Sequence, residues 1–188
     1  MRESLLQKKL KSIIVDRVLQ YRDYVQLKES MQKIKNEIFL TKKEIKTIEG
    51  LIKNKEKEIK AIITLLEKAA GHQEIEIDKL FTDIINRKTY SYSSDTLHYI
   101  RNYYFSCYRI MKDFELDYYL SGKSPRRFSM YKERKYKFEK VRNDIEKILS
   151  SILGYKVDVL TELNLTSNIE SVDFEIDSKI KELKNNAR

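Results

Sequence analysis

Glycine, proline, cysteine and tryptophan are all scarce in this chain. Its 188 residues include four Gly, one Pro, one Cys and no Trp. Chains that turn often need many more Gly and Pro residues, so their scarcity favours long helices. The single Cys107 cannot form a disulfide within the chain, which is typical of proteins in a reducing compartment.

Long apolar runs are also missing. No run approaches the roughly 18 residues that a transmembrane helix needs. The N-terminal segment has no uninterrupted apolar stretch that ends in a small-residue cleavage site. We therefore expect an intracellular protein, located in the cytoplasm or at the nucleoid or nucleus, with no membrane partner.

Motifs of catalysis, metal binding and cofactor binding are absent as well. His72 and His98 lie far apart, and no Cys or carboxylate stands near them at metal-ligand spacing. No Gly-rich phosphate-binding loop occurs. Cys107 falls on an apolar helical stripe, where a small hydrophobic role is more typical than a nucleophilic one. We expect a protein that is not an enzyme and that holds no metal ion and no cofactor.

Charged residues are abundant. They make up 36% of the chain, and 38 Lys and Arg against 29 Asp and Glu give a formal net charge of +9. With 41% hydrophobic residues, the composition is that of a folded protein. Its basic balance makes nucleic acid or an anionic membrane surface plausible as a partner.

Residues 3–70 carry apolar residues in a heptad repeat sustained over about nine heptads. If unbroken, this segment would form a coiled-coil rod about 100 Å long. We expect it to join a second copy, with a dimer favoured and a trimer left open. The oligomerisation residues expected in the seam are Met31, Ile34, Ile38, Ile45, Ile48, Ile52, Ile59 and Ile62.

Another arrangement of this segment remains open. The same apolar stripe could pack against the rest of its own chain. Thr41 followed by Glu44 could form a capping box that begins a second helix, with a break near residue 40. The heptads alone do not decide between the two arrangements.

Residues 71–188 are expected to form a small, Tyr-rich helical bundle after the rod of residues 1–70, in an all-α fold. Residues 95–121 and 126–153 carry matching apolar stripes. The short connection from Gly122 to Pro125 makes them an antiparallel hairpin. A capping box at Ser167 predicts a final helix.

Basic residues concentrate in residues 123–142, where nine Lys and Arg accompany two Glu. This window holds +7 of the formal charge, at the start of a helix, where an anion is also favoured by the helix dipole. Clustered cations suit phosphate binding, and interleaved aromatic residues could stack on bases. The expected nucleic-acid-binding residues are Lys123, Arg126, Arg127, Lys132, Arg134, Lys135, Tyr136, Lys137, Lys140 and Arg142.

Part of this window has a local resemblance to known proteins. The segment DYYLSGKSPRRFSMYKE resembles a stretch of the recombination mediators of large tailed phages, which help to load a recombinase onto single-stranded DNA. It covers under a tenth of the chain, and the residues after it do not resemble that family's downstream half. The resemblance implies contact with nucleic acid and does not establish membership. Its residues are Asp117, Tyr118, Tyr119, Leu120, Gly122, Lys123, Pro125, Tyr131, Lys132 and Glu133.

These patterns favour a non-enzymatic, oligomeric accessory protein that binds the backbone of DNA or RNA through the basic helix. The alternative is a coiled-coil scaffold or adaptor that binds other proteins, with the basic helix as an ordinary solvated face. A third, weaker alternative is a membrane-surface protein, because the basic helix is amphipathic. Whichever function applies, extending the apolar stripe of the basic helix from Phe138 toward its N-terminal end places Tyr131 toward the core.

Overall fold

The computed structural model describes residues 3–37, 42–69 and 75–186, and helices are the only regular elements in these ranges. The predicted all-α fold is confirmed. None of the helices described there is long and apolar enough to cross a membrane. The helices are α1 (Leu5–Glu37), α2 (Lys42–Ala69), α3 (Ile77–Ile85), α4 (Thr89–Leu120), α5 (Pro125–Leu153), α6 (Val159–Glu162) and α7 (Thr166–Asn186).

The chain divides into two compact units, Met1–Thr96 and Leu97–Arg188, so that the boundary falls within α4. The heptad pattern predicts this boundary at residue 70. The first unit extends further because Leu80 of α3 is buried in one cluster with residues of α1 and α2. Tyr92, at the beginning of α4, packs against the same cluster.

Helices α1 and α2 of the first unit lie antiparallel. Met31, near the end of α1, shares a buried cluster with Ile52 of α2. Ile14, near the beginning of α1, packs instead in a cluster with Leu66, near the end of α2. The single rod predicted over residues 3–70 is therefore replaced by a hairpin, because a heptad stripe specifies a helical partner but not which chain supplies it. Thr41 of the proposed capping box lies outside the described residues.

The expected oligomerisation residues are largely covered by their own chain. Since α1 and α2 face each other, the apolar stripe is removed from water without a second copy. Self-association through these residues stays a prediction. Met31, Ile52 and Ile59 are buried, Ile45, Ile48 and Ile62 are half-buried, and the side chain of Ile34 and the whole of Ile38 lie outside the described part of the chain.

In the second unit, α4 and α5 form the predicted antiparallel hairpin. Phe138 of α5 meets the rings of Tyr104 and Tyr108 edge to face, each at a centroid distance of 5.3 Å. Nearer the connection, Tyr118 packs on Phe128 at 5.2 Å. The chain order of these pairs, late residues of α4 with early residues of α5, confirms the antiparallel arrangement.

Helix α7 completes the second unit and runs parallel to α4. The Arg101 side chain donates a hydrogen bond to Asn168 at 3.2 Å, and Lys184 lies over the ring of Tyr119. The two helices therefore run in the same direction, with α7 beside the part of α4 from Arg101 onward. The sequence pattern predicts an apolar stripe on this helix, of which Ile169, Val172, Ile176 and Ile180 are buried and Leu183 is half-buried.

Helix α5 begins and ends at the residues that the sequence indicates. Pro125 occupies the first helical turn, where its missing N–H is not needed. At the other end, Gly154 adopts a left-handed conformation with φ of 82°, and its N–H donates to the Ser150 carbonyl at 2.8 Å. This conformation favours glycine because an L side chain would be strained there.

Candidate nucleic-acid interface

The ten residues predicted to bind nucleic acid all lie on α5 or in the turn before it, and all ten side chains are exposed. Helix α5 buries Phe138, Ile145 and Leu149 on its inner side. The basic residues occupy the remaining surface of the helix because its apolar stripe fixes which side faces the core. We call these ten residues the basic surface.

Some cations of the basic surface are paired with carboxylates. The Arg127 guanidinium lies 3.6 Å from the Asp117 carboxylate of α4. The Lys137 ammonium donates to Glu133 at 2.5 Å, one helical turn away. That hydrogen bond lowers the pKa of Glu133 below its usual value, so this carboxylate is ionised at neutral pH.

Two other cations lie over aromatic rings. The Lys132 ammonium is 5.2 Å from the centre of the Phe128 ring, and the Arg134 guanidinium is 5.0 Å from the centre of the Phe114 ring. Attraction to the ring face positions each side chain without neutralising its charge. Both cations can therefore still attract a phosphate.

Besides Arg142, four further cations form no ion pair among the residues that the structure describes. An external anion could bind these cations without displacing a carboxylate of the protein. Because they lie on one helix and its preceding turn, their positions are fixed relative to each other. These cations are Lys123, Arg126, Lys135 and Lys140.

Two tyrosines of this region differ in exposure: Tyr131 lies toward the core, as the sequence pattern predicts, and Tyr136 lies toward solvent. Tyr131 is half-buried, and burial is the main cause that raises its pKa above the usual value. Tyr136 points away from the core and is 70% exposed. Tyr136 is therefore the ring of the basic surface that is available for stacking on a base.

A groove lies beside the basic surface, between α4 and α5, with a volume of about 440 Å³. We call it the α4–α5 groove. Tyr103, Cys107 and Ile110 of α4 line one side, and Arg134, Lys137, Phe138, Lys140, Val141 and Asp144 of α5 line the other. Burial raises the pKa of the Cys107 thiol above its usual value, so this thiol ionises less readily than an exposed one.

The α4–α5 groove is not among the features predicted from the sequence. The sequence pattern assigns one apolar stripe to α4, but Tyr99, Tyr103 and Ile110 form a second series at helical spacing. This series is the signal that could have indicated the groove. The opposite wall could not be inferred in the same way, because which residues face each other across two helices depends on how the helices pack.

A buried cation was also not predicted. Lys112 of α4 is 9% exposed, and its ammonium lies 2.8 Å from Glu115 and 3.2 Å from Asp173 of α7. Tyr108 donates a hydrogen bond to the same Asp173. This network joins α4 to α7 inside the second unit and is not part of the basic surface.

Side chains that could ligate a metal ion do not converge in the part of the chain that is described. Residues 3–37, 42–69 and 75–186 contain no group of three His, Cys, Asp or Glu side chains that could hold a metal ion. His98 is exposed and contacts Asn102 of its own helix, while His72 lies outside these ranges. No protein-family model, curated protein or solved structure matches the chain.

Proposed function

We propose that the protein is a non-enzymatic accessory factor that binds nucleic acid through the basic surface of α5. The observation that carries the proposal is the exposure of all nine cations of residues 123–142, against only two carboxylates in that window. Lys123, Arg126, Lys135 and Lys140 have no ion pair among the described residues. The rest of the chain holds only +2 of the formal +9, so the attraction for a polyanion is local.

The spread of the cations along the axis of α5 suits a phosphate backbone. Residues 125–142 of α5 extend over about 27 Å, at 1.5 Å per residue. Each phosphate that a cation neutralises releases condensed counterions, so affinity should fall steeply as salt rises. Contacts to phosphate carry no sequence information, and sequence preference should therefore be weak.

Charge reversal tests this proposal. Binding of labelled single-stranded and double-stranded oligonucleotides would be measured by fluorescence anisotropy across a salt series. We expect the Lys123→Glu, Arg126→Glu, Lys135→Glu and Lys140→Glu variant to lose binding by more than about 100-fold, since eight units of charge change at the binding surface. Circular dichroism should report unchanged helicity.

A matched control changes the same number of charges elsewhere. Lys53, Lys57, Lys60 and Lys68 are exposed on α2. Reversing these four should weaken binding far less than reversing four cations of the basic surface. Equal losses would mean that only net charge attracts the oligonucleotide, and absence of wild-type binding at low salt would refute the proposal.

A scaffold or adaptor role is the second candidate function, and exposed leucines favour it. Leu51 and Leu65 of α2 are 58% and 39% exposed, and Leu27 of α1 is 44% exposed. Apolar side chains grouped on one unit can mark a surface that binds protein. The same residues could join a second copy of the chain, so homo-oligomerisation is also part of this proposal.

A further inference from the structure

The α4–α5 groove lies on the side of its hairpin that α7 does not contact. On α4, the residues that bond to α7 are Arg101, Tyr108, Arg109 and Lys112. Tyr103, Cys107 and Ile110 project in a different direction because they occupy other positions of the 3.6-residue repeat. In the second unit, the apolar wall of the groove therefore faces solvent.

Two tyrosines form a stacked pair at one end of this wall. The rings of Tyr99 and Tyr103 are nearly parallel, with an interplanar angle of 10° and centroids 6.2 Å apart. Tyr103 is 45% exposed, and Ile110, two turns further along α4, is 46% exposed. Rings and aliphatic groups that remain this exposed at a groove offer flat apolar surface to a ligand.

The opposite wall adds positive charge. Arg134, Lys137 and Lys140 of α5 line the groove, together with one carboxylate, that of Asp144. Lys140 has no ion pair among the described residues. The groove thus combines an apolar, aromatic wall with a cationic wall, and its lining carries two more positive than negative charges.

An unpaired nucleotide matches both walls at once. Its base has two flat faces that stack on aromatic rings, and its phosphate carries a negative charge. In a duplex, the neighbouring base pairs cover those faces, so a duplex could use only the cationic wall. An acidic peptide would satisfy the cations but would make no use of the parallel ring pair.

We propose that the α4–α5 groove binds unpaired nucleotides of a single-stranded nucleic acid. Bases stack on the pair formed by Tyr99 and Tyr103, and phosphates contact Arg134, Lys137 and Lys140. This inference rests on the proposed function, because it assigns to bases the groove beside a surface that binds phosphates. It also adds a preference for single strands that the cations of the basic surface alone would not produce.

The first test removes the rings and keeps the charges. The Tyr99→Leu, Tyr103→Leu variant would be compared with the wild type on a labelled oligo-dT and on a duplex of equal length. Stacking supplies a substantial share of single-strand affinity, so we expect oligo-dT binding to weaken by about ten-fold or more. Duplex binding should change by less than about two-fold, because the phosphate contacts remain.

A matched control removes an exposed ring elsewhere in the same unit. Tyr155 is 51% exposed and lies outside the groove. Tyr155→Leu should leave both affinities within about two-fold of the wild type, because this ring has no contact with the proposed ligand. A loss in this variant as large as in the Tyr99 and Tyr103 variant would overturn the assignment of stacking to the groove.

The second test uses the only cysteine of the chain. Because Cys107 lines the groove, a bound strand should slow the reaction of its thiol with a maleimide. We expect saturating oligo-dT to slow the reaction several-fold, and inorganic polyphosphate, which has no bases, to slow it less. Mass spectrometry of the whole protein measures the labelled fraction over time.

The outcomes separate this inference from the proposed function. If charge reversal on α5 abolishes binding while the tyrosine variant binds normally and Cys107 stays unprotected, the groove inference is wrong and the proposed function stands. If the wild type binds no oligonucleotide, both are wrong. Protection of Cys107 by an acidic peptide or by higher protein concentration, but not by oligo-dT, would assign the groove to a protein partner and overturn the inference.

Discussion

At the scale of single residues, the most constrained charge is that of Lys112. Burial alone would lower its pKa, but the ion pairs with Glu115 and Asp173 outweigh burial and raise the pKa above the usual value. Lys112 is therefore cationic at neutral pH. The orientation of α7 against α4 depends on a charge that has little access to water.

Removing this buried charge should destabilise the second unit. Lys112→Met keeps most of the aliphatic stem but leaves the Glu115 and Asp173 carboxylates without their cation. We expect the free energy of unfolding to fall by about 2 kcal/mol, measured by urea denaturation.

An exposed ion pair provides the control for Lys112. Lys179 donates to Glu175 at 2.7 Å, and its side chain is 50% exposed. Lys179→Met should cost less than about 1 kcal/mol, because solvent screens exposed pairs. Equal losses in the two variants would show that the Lys112 network contributes no more than a surface pair.

Asp158 gives the clearest expectation for pH dependence. Its carboxylate accepts hydrogen bonds from the Thr161 hydroxyl at 2.6 Å and the Thr161 N–H at 3.1 Å, and these bonds lower its pKa. Its contribution to stability is complete above the usual pKa of about 4 and is lost as pH falls through the lower folded value. We expect Asp158→Ala to cost about 1 kcal/mol at pH 7.

Measuring the free energy of unfolding as a function of pH tests this role of Asp158. The stability difference between wild type and Asp158→Ala should shrink as pH falls from about 5 to below 3, because the wild-type carboxylate becomes protonated. Asp177→Ala, at an exposed position of α7, serves as the control. A difference that stays constant over this range would contradict a role for the ionised carboxylate.

At the scale of helices, local signals predict some ends well and others poorly. Pro125 and Gly154 bound α5 as expected, because their backbone preferences act whatever the tertiary structure is. The sequence pattern predicts the beginning of α4 near residue 95, but the helix begins at Thr89. Ser94 and Asp95, which the sequence pattern indicates as possible N-caps, lie inside the helix instead.

The sequence pattern of α5 predicts an inner face of Phe138, Val141, Ile145, Ile148 and Ile152. Phe138 and Ile145 are buried and Val141 and Ile152 are half-buried, so the prediction fails at Ile148. The pattern places Ile148 on the inner face, but Ile148 is 51% exposed, whereas its neighbour Leu149 is completely buried. Steps of three and of four residues both fit a repeat of 3.6, so the sequence alone does not choose between neighbours. Packing against the other helices determines which of the two neighbours is buried.

These two neighbours offer a matched pair of variants. Leu149→Ala should lower the free energy of unfolding by about 2 to 5 kcal/mol, because it leaves a cavity in the core. Ile148→Ala should cost less than about 1 kcal/mol, because its side chain already contacts water. Urea denaturation would measure both, and similar losses would contradict the observed orientation of α5.

At the scale of the whole molecule, charge was easier to predict than shape. The basic surface could be located from sequence because most charged side chains of a helix stay exposed however the helix packs, although Lys112 of α4 does not. The α4–α5 groove and the α1–α2 hairpin could not, since both depend on which apolar stripes meet. The heptads of residues 3–70 fit an intermolecular seam and an intramolecular one equally well.

Self-association remains a prediction for the complete molecule. Light scattering of the purified protein should report a dimer or a larger assembly. Leu51→Glu with Leu65→Glu should dissociate it and preserve helicity, because both side chains are exposed on α2. Ile52→Asp should instead unfold the hairpin, because Ile52 is buried against α1. A folded wild-type monomer at micromolar concentration would rule out the dimer.

The α1–α2 hairpin also affects how the chain folds during synthesis. The buried cluster nearest its connection joins Met31 to Ile52, which are only 21 residues apart in the chain. Closing so short a segment costs little entropy, and such contacts form quickly. Once the ribosome has released the residues up to Ala69, the part of the apolar stripe around Met31 and Ile52 can be covered, and no second polypeptide has to be present. The segment is therefore protected from aggregation while α5 is still being translated.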